Sequence, residues 1–278
     1  MKLATKIILQ CGVLATAGAI QAAVLAGEVP STSRIGLPRL LNVPSVPAAS
    51  TEEFHAPEGT SILPLLNDYE AFVVRLLLTK GHLRAGIEAY ESGNDNQALA
   101  HLGQPVEVLH DNLDRWVGTP GAEPFEAALG ALVAAVHAKA PIDAVTQDLA
   151  MALRTLDGAI EKLDVDIRES PTFTMLVTLA VLRAAADEYD LGVSGGRIVD
   201  IIEYQDARAF MLEARACAES ASGDLMAKNS GAYGILIAEF AALEMALPPA
   251  AQFPGTRTTT ADLRRAVVRV GLLYDSFK

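Results

Sequence analysis

Two histidines and two acids stand out because each sits on an otherwise apolar helical stretch. His82 follows Gly81, and His101 lies four residues before Pro105. Glu203 and Asp206 are three apart, with Phe210 four further on, so all three fall on one helical face. Imidazole nitrogen and carboxylate oxygen together suit a divalent transition metal (iron, zinc or copper) without choosing among them. The same residues have plainer roles. A buried histidine can be satisfied by hydrogen bonds, and acids near a helix start favour the helix dipole. Pro105 adds a directional cue, because its ring opposes the carbonyl of His101 at a cost of about 3 kcal/mol or more. Gly103-Gln104-Pro105 is therefore expected to kink the helix at His101. Such a kink either accommodates a neighbouring helix or aims His101 toward a site.

Other chemistry is excluded motif by motif. Gly192-Val193-Ser194-Gly195-Gly196 fits G-x-S-x-G, but the hydrolase elbow needs a strand before it and a histidine after it. The preceding segment reads as helix, and the last histidine is His137. His55-Ala56-Pro57-Glu58 has metal-ligand spacing, yet its proline opposes the helix that would align the pair. There is no H-E-x-x-H and no Walker loop. Cys11 lies in an apolar leader, so Cys217 would be the one cysteine of the exported chain. Internal disulfides and paired-cysteine metal sites are thereby ruled out. No catalytic constellation remains.

The elements that must position these groups are helices. Leu65, Tyr69, Phe72, Val73, Leu76, Leu83, Ile87 and Tyr90 recur at three- and four-residue steps. Leu99, Leu102, Val106, Leu109, Leu113 and Trp116 do the same beyond the turn Ser92-Gly93-Asn94-Asp95. Facing residues in an antiparallel pair have a constant index sum, and 90/99, 87/102, 83/106, 76/113 and 73/116 share one. That register sets His82 level with Glu107 and Glu88 level with His101. The two histidines are then offset by about 9 Å in straight helices, too far to share one ion. Further helices are expected around Phe125–Val136, after Pro141, after Ser170-Pro171, over Ile198–Ala221, over Leu225–Leu247 and after Thr260. Gly192–Gly196 is expected to be a loop. The fold class is all-α: a multi-helix bundle, 61–278, built on antiparallel hairpins. A TPR-like reading of the hairpin rests on Gly86, Ala98 and Leu102, but no second copy follows.

Ahead of the bundle, Lys2 and Lys6 precede an apolar run from Ile7 to Ile20, and small residues follow to Ala26. Residues 1–26 read as a cleaved bacterial signal peptide, too short for a membrane span, which places the protein in the periplasm. Residues 27–60 hold Pro30, Pro38, Pro44, Pro47 and Pro57 without periodicity and read as a flexible leader. The full chain has 22 bases and 34 acids, and loss of Lys2 and Lys6 leaves a net charge of −14. So acidic a chain disfavours nucleic acid and anionic lipid.

Three strings carry a family resemblance: Gly81-His82-Leu83-Arg84-Ala85-Gly86, Ala98 through Glu107, and Val199 through Phe210. They resemble exported all-helical proteobacterial proteins related to periplasmic iron-uptake accessories, including the imelysin-like group. That group carries G-x-H-x-x-E, and Ala85 stands here where its glutamate would follow His82. The resemblance implies a periplasmic protein that binds a divalent, iron-like metal through His82, His101, Glu107, Glu203 and Asp206. Its partner would be a membrane metal permease or another periplasmic protein. Within this set the hairpin register favours His82 with Glu107, joined by Glu203 or Asp206, and leaves His101 outside the first ring of ligands. The competing reading is a helical interaction module that binds no metal.

Overall fold

The computed structural model describes residues 66–113, 122–252 and 258–278, with side chains at 66–105, 124–252 and 258–278. The signal segment 1–26, the proline-rich stretch 27–60 and the turn at Gly118–Gly121 lie outside the described residues, as do the side chains of Glu107 and Trp116. The described chain is almost entirely helical, in agreement with the all-α expectation.

Helix α1, Asp68–Glu91, begins at a capping box that the apolar spacing alone did not reveal. Asn67 Oδ1 accepts from the Tyr69 and Glu70 amides, and Glu70 Oε2 accepts from the Asn67 amide, satisfying orphan donors of the first turn. The turn to α2, Asp95–Leu113, passes through Gly93 at φ 76°, a left-handed geometry that suits glycine. Gly86 packs directly on the second arm: a Cβ there would lie 3.0 Å from Leu102 Cγ. Leu83, Ile87, Ala98 and Leu102 are buried between the arms, each large aliphatic worth about 1.5–3 kcal/mol. Tyr69, expected in the core, is exposed. Pro105 is buried inside α2, which continues to Leu113.

Helices α3, Ala122–His137, and α4, Ile142–Glu161, form a second hairpin, fastened to the first by Tyr90, whose hydroxyl donates to Ala140 O at 2.6 Å. A single turn, α5 (Val165–Arg168), leads to α6, Pro171–Gly192, capped by Ser170 with proline at its start as expected. Almost every side of α6 is buried. The loop at Gly192–Gly196 holds a detail the sequence did not disclose. Strands β1 (Val193–Ser194) and β2 (Arg197–Ile198) pair antiparallel, with Gly195 and Gly196 turning at φ 57° and 74°. This ribbon returns the chain as α7, Ile201–Ser220, which Asp200 caps three residues later than expected. Helix α8, Ser222–Ala246, is interrupted at Asn229 (φ −159°, ψ 94°), whose side chain caps the following stretch by accepting from the Ala232 amide. Helix α9, Thr260–Leu272, starts at Thr259, one residue before the expected cap, in a box with Asp262.

Helix α1 packs against α2, α4, α6 and α7 together. That arrangement buries Leu77, His82, Ala85 and Ala89 as well as the face turned to α2. A one-sided hydrophobic stripe was the sequence expectation; several packed neighbours require several buried sides.

Candidate metal centre

Asp206 is the centre of the site. It lies on α7 with 1% exposure, and its Oδ1 meets two imidazoles from the first hairpin. His82 Nδ1 is 2.8 Å away and His101 Nδ1 3.0 Å away. The three ligand atoms all lie within 4.8 Å of one another. Among the described residues, no other three His, Cys, Asp or Glu side chains gather so closely. The expected 9 Å separation of the histidines along the hairpin is therefore corrected. Index sums place residues at their height along two straight rods, whereas these side chains converge on a third helix. His101 belongs with His82, not outside it.

Each imidazole is held on a further edge. His82 lies behind Gly81, against which the Phe210 ring closes; a Cβ on Gly81 would sit 2.5 Å from Phe210 Cδ1. Phe210 meets the His82 ring edge-on, with centroids 4.8 Å apart. On the other arm, His101 Nε2 is 2.9 Å from Gln205 Oε1, and the Gln205 amide nitrogen donates to Gln97 Oε1 at 3.1 Å. His101 is fully buried, and its Nδ1 has no hydrogen-bond partner although Asp206 is close. The contact is off the hydrogen-bonding direction. An orphaned, fully buried ring nitrogen beside a carboxylate is costly unless a positive charge accompanies it.

The electrostatics follow from these contacts. Burial alone would raise the Asp206 pKa, but the charge of His82, its hydrogen bond to Asp206 and the charge of His101 outweigh it and hold the carboxylate well below its usual range. Burial pulls His101 down, yet Asp206, Gln205 and Glu203 together hold its pKa above the ordinary value. Asp206 is thus an anion at neutral pH, with positive charge drawn toward it.

Glu203 lies one turn before Asp206 and is half-buried. It forms no part of the close trio and instead meets Glu188 of α6, a residue the sequence reading missed. Burial, then the hydrogen bond and charge of Glu203, push Glu188 up to about 9, so Glu188 holds its proton at neutral pH. Glu188 carried no signal in the sequence; the packing of α6 against α7 brings it to Glu203. Glu107 lies on α2 beyond His101, and its side chain is outside the described residues.

The carboxylates of this site fall in a recognisable region. Residues 166–273 match the iron permease-associated 4-helix bundle domain. The match spans α6 to α9, under half of the chain, and contains Glu188, Glu203, Gln205 and Asp206. His82 and His101 lie outside it, on the hairpin that precedes it. The match agrees with the iron-uptake side of the resemblance drawn from the sequence; an imelysin-like relationship receives no such support. No curated protein and no solved structure matches the chain. No helix among the described residues is long and apolar enough to cross a membrane.

Proposed function

We propose that this protein binds a divalent transition metal at His82, His101 and Asp206 and serves as a periplasmic accessory to an iron permease. The observation that carries the reading is the convergence of two Nδ1 atoms on one carboxylate oxygen, all buried, with one of those nitrogens lacking a hydrogen-bond partner. Two imidazoles and one carboxylate form the donor set that suits ferrous iron and leaves further positions open. Glu203 and Glu188 adjoin the trio and offer carboxylate oxygen, the harder donor, on its α6 side. The description of the matching domain names an iron permease, which favours iron as the cargo and a permease as the partner. The interaction-module alternative rests on a hairpin whose first arm is already covered by α4, α6 and α7, leaving it less surface to offer.

The test is titration calorimetry on tag-free, metal-stripped protein, with ferrous ion under anaerobic conditions and with zinc and cupric ion. One equivalent should bind, and His82→Ala and His101→Ala should each weaken it by about 100-fold or more, the loss of one full ligand. Wild-type binding no tighter than millimolar would favour the interaction module instead. Unchanged affinity in both variants would show that the metal sits elsewhere.

A further inference from the structure

A ligating imidazole works through one nitrogen while the other donates its N–H to a fixed acceptor, and that acceptor decides which nitrogen is left for the metal. His101 is flanked in this way on two edges by consecutive residues of α7. Asp206 stands at Nδ1 and Gln205 at Nε2. An amide could present either its oxygen or its nitrogen to the ring. Gln205 Oε1 lies 2.9 Å from His101 Nε2, and the Gln205 amide nitrogen donates to Gln97 Oε1 at 3.1 Å. Gln97 precedes His101 by one helical turn and occupies the same face of α2, which sets it within reach. Oxygen toward Nε2 requires the proton on Nε2. In the neutral ring the lone pair then resides on Nδ1, the buried atom without a hydrogen-bond partner, 3.0 Å from Asp206 Oδ1. Two electron-rich atoms at that separation repel in a dry interior, and a cation bound by both removes the repulsion.

We propose that Gln205, braced by Gln97, is the positioning residue that makes Nδ1 the metal-binding atom of His101. The inference rests on the metal reading above and deepens it. Both imidazoles then coordinate through Nδ1, and the geometry is selected by an amide relay that touches no metal.

Long-range proton–nitrogen NMR on protein labelled with 15N-histidine tests this, using zinc ion as the probe. In metal-free wild type at alkaline pH, His101 should carry its proton on Nε2. On zinc addition the Nδ1 resonance should move while Nε2 keeps its proton. Gln205→Leu should mix the two tautomers and weaken zinc binding by about 10–100-fold, the range for loss of an outer hydrogen-bond partner. Gln205→Glu retains an acceptor at Nε2 and should preserve both tautomer and affinity, which a merely structural role would not predict. Gln97→Leu, further from the ring, gives a second variant should Gln205→Leu fold poorly, and should shift the tautomer the same way. A wild type that binds zinc tightly with the proton on Nδ1 would overturn the role of Gln205 alone. A wild type that shows the Nε2–H tautomer but binds no zinc would overturn the metal reading, and the positioning role with it.

Discussion

Helix α7 buries two acids two turns apart, Asp206 at 1% exposure and Glu213 at 2%, and the molecule treats them differently. Both point toward α1. Glu213 meets permanent cations there: the Arg84 guanidinium contacts Oε1, and Lys80 Nζ lies 3.8 Å from Oε2 while bonding Asp157 of α4 at 2.8 Å. Asp206 meets imidazoles instead. A guanidinium has no lone pair to give, so Glu213 sits in an ion pair that ties α1, α4 and α7 together, with its Oε2 lacking a hydrogen-bond partner. An imidazole can surrender its proton and become a donor atom, which is what the metal site proposed at Asp206 requires. The same acid chemistry on the same helix face is structural in one place and available in the other. The partner decides.

Three substitutions sharpen or break that contrast. The largest effect should be on metal binding: Asp206→Asn should weaken ferrous or zinc affinity by about 100–1,000-fold, or about 3–4 kcal/mol, through loss of the charged ligand. Glu213→Gln should leave affinity nearly unchanged. Calorimetric titration of both variants checks this, and equal losses would erase the distinction. Next in size is stability. Glu213→Ala should lower urea-unfolding stability by about 2–4 kcal/mol, because Lys80 is left largely buried without its second acid while half-exposed Arg84 regains water. A loss under about 0.5 kcal/mol would place the pair among ordinary surface interactions.

The smallest effect concerns the carboxyl pair beside Asp206. Glu188 titrates near 4.5 when unfolded and about 9 when folded. Between those values the folded chain keeps a proton that the unfolded chain has released, so stability should fall as pH rises through that window. Glu188→Gln removes the drop. In chelator-treated protein it should match wild type near pH 4.5 and be progressively more stable than wild type as pH rises toward 9. Parallel pH profiles for the two proteins would mean that Glu188 keeps no extra proton on folding.

Local features of the fold were legible residue by residue. Ser170 with Pro171, the turn at Gly93 and the buried steps Leu83, Ile87 and Leu102 carry their geometry in their own types and spacing. Glu188 was not legible, because only the packing of α6 against α7 brings it to Glu203. Gln205 carried no signal, because a half-buried glutamine beside an acid looks like any other residue near a helix start. His101 was singled out through Pro105 and then set apart from His82 by a rule that considers two helices at a time.

What the sequence determined by itself is the order of the main helices and the buried side of most of them, because those depend on residues within a few turns. The tertiary structure alone decided that His82, His101 and Asp206 meet. Their meeting depends on how closely α7 approaches α1 and α6, and that is set by contacts between distant segments. Phe210 fills the space that Gly81 leaves open, and the Tyr204 amide nitrogen would lie 2.6 Å from any Cβ added at Gly192. Helical periodicity specifies which way a residue faces. Only the packed crossing of three helices specifies what it faces.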